Sequence, residues 1–201
     1  MWRQALVSGL LIGLGAAGFL ALGGIPGAVI FAFGLIGVVL TGFPLYTGKA
    51  GVLPLKGTWD LLRIWFWNVV GCILIGVILK FSEVGYTANA TAIVDGRFQS
   101  GFVPAFLRAV GCGLIIDIAV WMKKNYNNIL PVLFGVPLFI LCGFYHSIAD
   151  VVYITASWRW CPEIYWYYPA IFLGNYVGCN IRRVILPKSN KDTIYPWYKS
   201  Y

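Results

Sequence analysis

The 201-residue chain holds a single histidine, His146, and it lies inside an apolar run. Residues 130–156 are long enough to span a bilayer, yet Gly143, His146, Ser147 and Asp150 interrupt them at mid-depth. An ionisable group in a membrane span is costly and is kept where it faces protein, a water-filled cavity or a solute path. His146 therefore reads as part of a pore. A lone imidazole there can pass a proton to a solute, or stay neutral and orient one by hydrogen bonding. Desolvation disfavours the charged ring and a nearby anion favours it, so both roles stand. No acidic pair at catalytic spacing and no cysteine/histidine cluster accompanies it, which leaves little to build an enzyme from. The five cysteines match no zinc or thioredoxin pattern and read as small packing residues.

A composition 60% hydrophobic and 11% charged excludes an ordinary soluble domain and a nucleic-acid binder, and points to an integral membrane protein. The net charge of +8 comes from basic residues at the ends of apolar spans. Six segments approach the ~20 apolar residues a spanning helix needs, near 5–22, 27–55, 60–80, 102–122, 130–156 and 167–186. The first runs almost directly into further apolar chain, unlike a cleavable signal peptide. Six spans put both termini on one side. With that side inside, the inner segments hold eleven basic residues (Arg3, Lys49, Lys56, Arg63, Lys123, Lys124, Arg182, Arg183, Lys188, Lys191, Lys199) and the outer ones hold four (Lys80, Arg97, Arg108, Arg159). This bias predicts an inner-membrane protein with both termini cytoplasmic. Trp59, Trp121, Trp158, Trp160 and Trp166 at span ends suit interfacial anchors.

Two spans are broken. After Pro26 the second runs helically only over 27–41 before Gly42, Pro44 and Gly48, about 22 Å at ~1.5 Å per residue against a hydrocarbon core of ~30 Å. The fifth repeats the design, breaking at Gly143. Non-helical backbone at membrane depth survives only against protein or a water-filled cavity, so two breaks imply one shared cavity. The halves also echo each other: Asn68-Val69-Val70-Gly71-Cys72 answers Asn175-Tyr176-Val177-Gly178-Cys179, and Gly42-Phe43 answers Gly143-Phe144. Three spans per half is odd, so the repeats, about 1–80 and 102–186, must be inverted, an architecture recurrent in transporters with the permeation site at the midplane. The first and fourth spans give no alignment. Residues 1–186 are expected to form one channel domain, with 187–201 a short cytoplasmic tail.

Together these features resemble the formate/nitrite transporter family, which includes hydrosulfide and lactate members. The most specific pieces are Gly143-Phe144-Tyr145-His146-Ser147-Ile148-Ala149-Asp150, similar to the family's G-F-x-H-S-x-A-N; Gly174-Asn175 with Gly178, similar to G-N-x-x-G; and Leu45-Tyr46-Thr47-Gly48. Ala119-Val120-Trp121-Met122 and Asn68 with Gly71 agree as well. The resemblance implies an all-α, aquaporin-like homopentamer with one pore per protomer, no cofactor or metal, and a small anion and membrane lipid as partners. It implies a central chamber of His146 and Thr47, flanked by constrictions at Phe31, Leu35, Leu45, Tyr46, Ile116 and Phe139, with Arg97 in the outer vestibule. Asn175 is expected in the chamber, whereas Asn68 suits helix–helix hydrogen bonding equally well. Two departures are visible: Gly113 stands where the family has an asparagine, and Asp150 where asparagine is usual.

The expected function is a pH-dependent channel for small monovalent weak-acid anions. An anion entering an apolar constriction loses hydration and is destabilised far more than its conjugate acid, so a proton joins it and the neutral acid crosses. Arg97 would concentrate the anion at the mouth. The alternative is an aquaporin-like channel for a neutral solute, against which stands the absence of any Asn-Pro pair. Tyr46, with a hydroxyl where phenylalanine is common, and Gly113, which enlarges the chamber if it lines it, weakly favour a larger or more polar substrate. Asp117, costing ~2.5–3.5 kcal/mol at a helix centre, must face protein or a vestibule. Arg108 suits a lipid-headgroup anchor or a vestibule charge, and Arg182 and Arg183 suit topology signals. Asn89-Ala90-Thr91 fits a glycosylation sequon in an outer loop.

Overall fold

The computed structural model describes residues 1–51, 57–82 and 85–186. The expected tail, 187–201, the end of the second span, 52–55, and Lys56 lie outside them. In chain order the helices are α1 (Trp2–Leu22), α2 (Gly24–Thr41), α3 (Tyr46–Ala50), α4 (Thr58–Phe81), α5 (Tyr86–Phe98), α6 (Phe102–Tyr126), α7 (Leu130–Leu141), α8 (Ala149–Ser157) and α9 (Ile164–Ile185). Helices α1, α2, α4 and α6 are long and apolar enough to cross a membrane, and α7 is a shorter apolar helix. Large apolar side chains such as Phe33, Phe66, Ile78, Leu107 and Phe134 face outward, which in water would be an association surface and in a bilayer is the lipid or subunit face.

The two breaks fall where the glycines place them. Gly42 ends α2 with φ 70°, and Gly143 follows α7 with φ 67°. Both lie in the left-handed region that glycine enters without a Cβ penalty. Beyond Gly42, Pro44 has no N–H with which to continue the helix. Helix α2 begins three residues before the expected 27 and α7 stops at Leu141.

Helix α5 is new relative to the sequence expectation of an outer loop. It packs on α8, and the Asn89 amide, the expected sequon position, donates to the carbonyl of Leu20 at the end of α1 (2.8 Å). Its polar composition carries no span signal, which is why hydropathy passes over it.

Helix α6 packs most extensively on α9, and α1 on α2 and α4. A Cβ on Gly9 would run into the backbone oxygen of Asn68, and one on Gly113 into that of Asn175. Gly113 is therefore a helix-contact residue and does not enlarge a chamber. Gly113→Ala should force α6 from α9 and destabilise the protein by about 1–3 kcal/mol. Gly96→Ala, where the added methyl meets open space within α5, should be neutral or stabilising by up to about 1 kcal/mol. Thermal unfolding of the two purified variants in detergent reads the difference.

Candidate functional site

A helix interrupted in an apolar layer frees N–H and C=O groups that must find partners. One asparagine serves each break. On α4, Asn68 Oδ1 accepts the N–H of Tyr46 (2.8 Å), and Nδ2 donates to the carbonyls of Pro44 (3.2 Å) and Ala5 (2.7 Å). On α9, Asn175 Oδ1 accepts the N–H of Ser147 (2.8 Å), and Nδ2 donates to the carbonyls of Tyr145 (2.9 Å) and Ala109 (2.8 Å). One turn on, the Cys72 thiol donates to Gly9 (3.2 Å), and the Cys179 thiol to Gly113 (3.4 Å) and Thr47 (3.1 Å) carbonyls. Ala5 and Gly9 thus answer Ala109 and Gly113, the match between the first and fourth spans that sequence comparison did not supply. It also corrects the expectation for Asn175. Both its amide hydrogens and a lone pair are spent on backbone, so it holds the break in place and is not a free chamber donor.

The two breaks meet at His146 and Thr47, 2% and 1% exposed. Thr47 Oγ1 and His146 Nε2 are 3.1 Å apart. The other ring nitrogen, Nδ1, accepts the free N–H of Ala149 at the start of α8 (3.1 Å). An N–H does not donate to a nitrogen that carries its own proton, so the ring proton sits on Nε2 and is donated to Thr47. The threonine then keeps its hydroxyl proton for a further acceptor. Beside them, the Ser147 hydroxyl is buried without a hydrogen-bond partner among the described residues, a neighbouring polar group to which the sequence reading gave no role.

The expected constriction residues divide. Phe31 meets Phe139 edge to face (6.0 Å between centroids, 89°), and Phe139 lies over the His146 ring (5.9 Å, 28°). Leu35 and Leu45 line an open basin at the end that carries Lys49, Lys123 and Lys124. Ile116 is buried on α6. Tyr46 turns away: its ring stacks on Phe172 (4.7 Å) and its hydroxyl donates to the Phe172 carbonyl (3.0 Å). With that hydroxyl spent and Gly113 in a helix contact, neither supports a larger or more polar substrate.

Charge is placed differently from expectation. The Arg97 guanidinium donates to Asp150, whose other oxygen accepts from the Tyr167 hydroxyl. Arg97 also lies over the rings of Tyr145 (4.7 Å) and Tyr153 (5.0 Å). The anion-attracting role expected of Arg97 therefore meets a carboxylate that cancels its charge, because Asp150 stands one turn from the break on the helix that α5 covers. Arg108 donates to the Tyr145 hydroxyl (2.6 Å) and has no carboxylate within 4 Å among the described residues. At the other end Asp117 gains its partner: Arg182, expected to be a topology signal, bonds it through Nε and Nη2, the latter at 3.1 Å.

The family model described as formate/nitrite transporter matches residues 1–186. The uncharacterized transporter YrhG of Bacillus subtilis (strain 168) is 29% identical over 184 residues, 79% of this chain and 68% of that protein. The formate channel BtFdhC of Bacillus thuringiensis is 28% identical over 175 residues, 76% of this chain and 67% of that protein. A solved structure described as a pentameric formate channel with formate bound superposes with a TM-score of 0.80 at 22% identity, over 92% of this chain and 93% of that one, a likeness of fold.

The Thr47–His146 contact makes a direct test. Thr47→Val keeps the shape and leaves the buried Nε2–H unpaired, a loss of about 1–3 kcal/mol, whereas Thr47→Ser should stay near wild type. Thermal unfolding in detergent distinguishes the two.

Proposed function

The chain belongs to the formate/nitrite transporter family, and we propose that it is a channel-like carrier for small monovalent weak-acid anions such as formate, nitrite or hydrosulfide. It is a multi-pass membrane protein; in this reading it is a homopentamer with both termini cytoplasmic, so α5 covers the outer face and the lysine-lined basin opens inward. The observation that carries the reading is the hydrogen bond between Thr47 and His146, a polar contact between the two broken spans among the apolar side chains of Phe31, Phe139 and Leu45.

An anion passing Leu35, Leu45 or Phe139 is stripped of water and becomes more basic. It takes a proton from the aqueous side and crosses as the neutral acid. Of the two roles open to His146, the geometry favours the neutral donor. With Nδ1 accepting from Ala149, giving up the Nε2 proton would leave an imidazolate. The proton of the acid then comes from bulk water, and His146 holds Thr47 so that its hydroxyl can donate to an oxygen or sulfur lone pair of the passing neutral acid. The paired asparagines and matching glycine contacts support the reading of two inverted repeats around this point.

Proteoliposome uptake is expected to rise as external pH falls, because the neutral fraction of each acid rises. Uptake of formate, nitrite and hydrosulfide that stays at the leak level at pH 5 would sink the proposal, and osmotic swelling with water or glycerol would then identify a neutral-solute channel. His146→Phe should lower formate flux at least tenfold; unaltered flux would confine His146 to packing.

A further inference from the structure

We propose that Asp150 sets the charge selectivity of the path: by cancelling Arg97 one helical turn from His146, it makes the α5 side receptive to the neutral acid and unreceptive to the bare anion. This rests on the transport reading above.

The turn is fixed by the Asp150 N–H, which donates to the His146 carbonyl (2.9 Å). Asp150 is 1% exposed, and the Arg97 side chain 16%. The two line one tight crevice with Tyr153 and Tyr167, too narrow to hold a water molecule. The groups around the carboxylate are Arg97 from α5, Tyr167 and Tyr168 from α9, Tyr153 from α8 itself and Cys112 from α6. Arg97 is the one cation among them, so this group is neutral; the next cation, Arg108 from α6, shares the Tyr145 ring with Arg97 and donates to its hydroxyl (2.6 Å).

A purely structural duty explains the pair poorly. Helix α5 is already tied to the chain beyond α8 by Asp95 with Arg159 (2.8 Å), at exposed positions. A buried ion pair is commonly no better for stability than apolar side chains of the same volume. What the pair does supply is a strong local dipole with no net charge. An anion approaching His146 therefore meets no net attraction from this pair, which leaves Arg108 as the uncompensated cation on that side, while a neutral acid needs none.

Unpairing the charges should therefore move anion occupancy in opposite directions. A unit charge about 10 Å away at an effective dielectric of ~20 changes occupancy roughly tenfold. In proteoliposomes at pH 8, where formate is ionised, Asp150→Asn should lower the half-saturating formate concentration about tenfold. Arg97→Gln should raise it comparably, and the double variant should return near wild type. Size-exclusion profiles matching wild type establish assembly. If Asp150→Asn does not assemble, Arg97→Lys near wild type with Arg97→Gln raised carries the same meaning. Shifts of both single variants in the same direction, or no shift in either while wild type transports formate, would overturn the charge assignment alone. A wild-type protein at leak level overturns the transport reading and this inference with it.

Discussion

Every backbone N–H and C=O placed in an apolar layer needs a partner, and the molecule is arranged around the two places where its helices cannot supply one. Each break exposes a carbonyl and, two residues on, an N–H. A primary amide can meet both and still have a hydrogen to spare, which a serine or a carboxylate does not. Asn68 and Asn175 use that spare hydrogen on the carbonyls of Ala5 in α1 and Ala109 in α6. The break is thereby tied to two helices, and the close glycine contacts of α1 with α4 and α6 with α9 let the amides reach.

That frame is nearly symmetric, and the chemistry comes from what is set in it. The residue between the bonded carbonyl and N–H is Leu45 in one half and His146 in the other. One slot thus presents an apolar wall, and the equivalent slot an imidazole. Thr47, two residues past the leucine, reaches across to that imidazole. Full charges are kept at the two ends, with Asp150 against Arg97 towards α5 and Asp117 against Arg182 towards the lysines. The polar groups at the centre, Thr47 and a His146 whose Nδ1 accepts a hydrogen bond, carry no full charge.

Much of this was legible in the sequence. A lone histidine in an apolar run, glycines that stop two spans, and the echo of Asn68 in Asn175 locate the centre and the breaks. The sequence did not say which atoms the asparagines hold, since Ala109 lies 66 residues from Asn175 and the contact exists only once α6 is against α9. Gly113 and Tyr46 were misread for the same reason: a position facing a neighbouring helix and one facing a path look alike in an apolar segment. Helix α5 escaped because it is too polar for a span. The partner of Asp117, Arg182, is 65 residues away and drew attention only as a basic residue near a terminus.

The same frame limits how the path can open. His146 is held by its ring on both sides, and the backbone before and after it is bonded to Asn175. Moving that backbone would expose several buried polar groups at once, each at a cost of about 1–3 kcal/mol. Phe31 and Phe139 meet only through ring contacts, and rotating such a ring leaves no hydrogen bond unmade. Between His146 and the neighbouring spans, the aromatic side chains are the parts whose displacement costs least. A stiff polar centre with an aromatic cover follows from satisfying the backbone first.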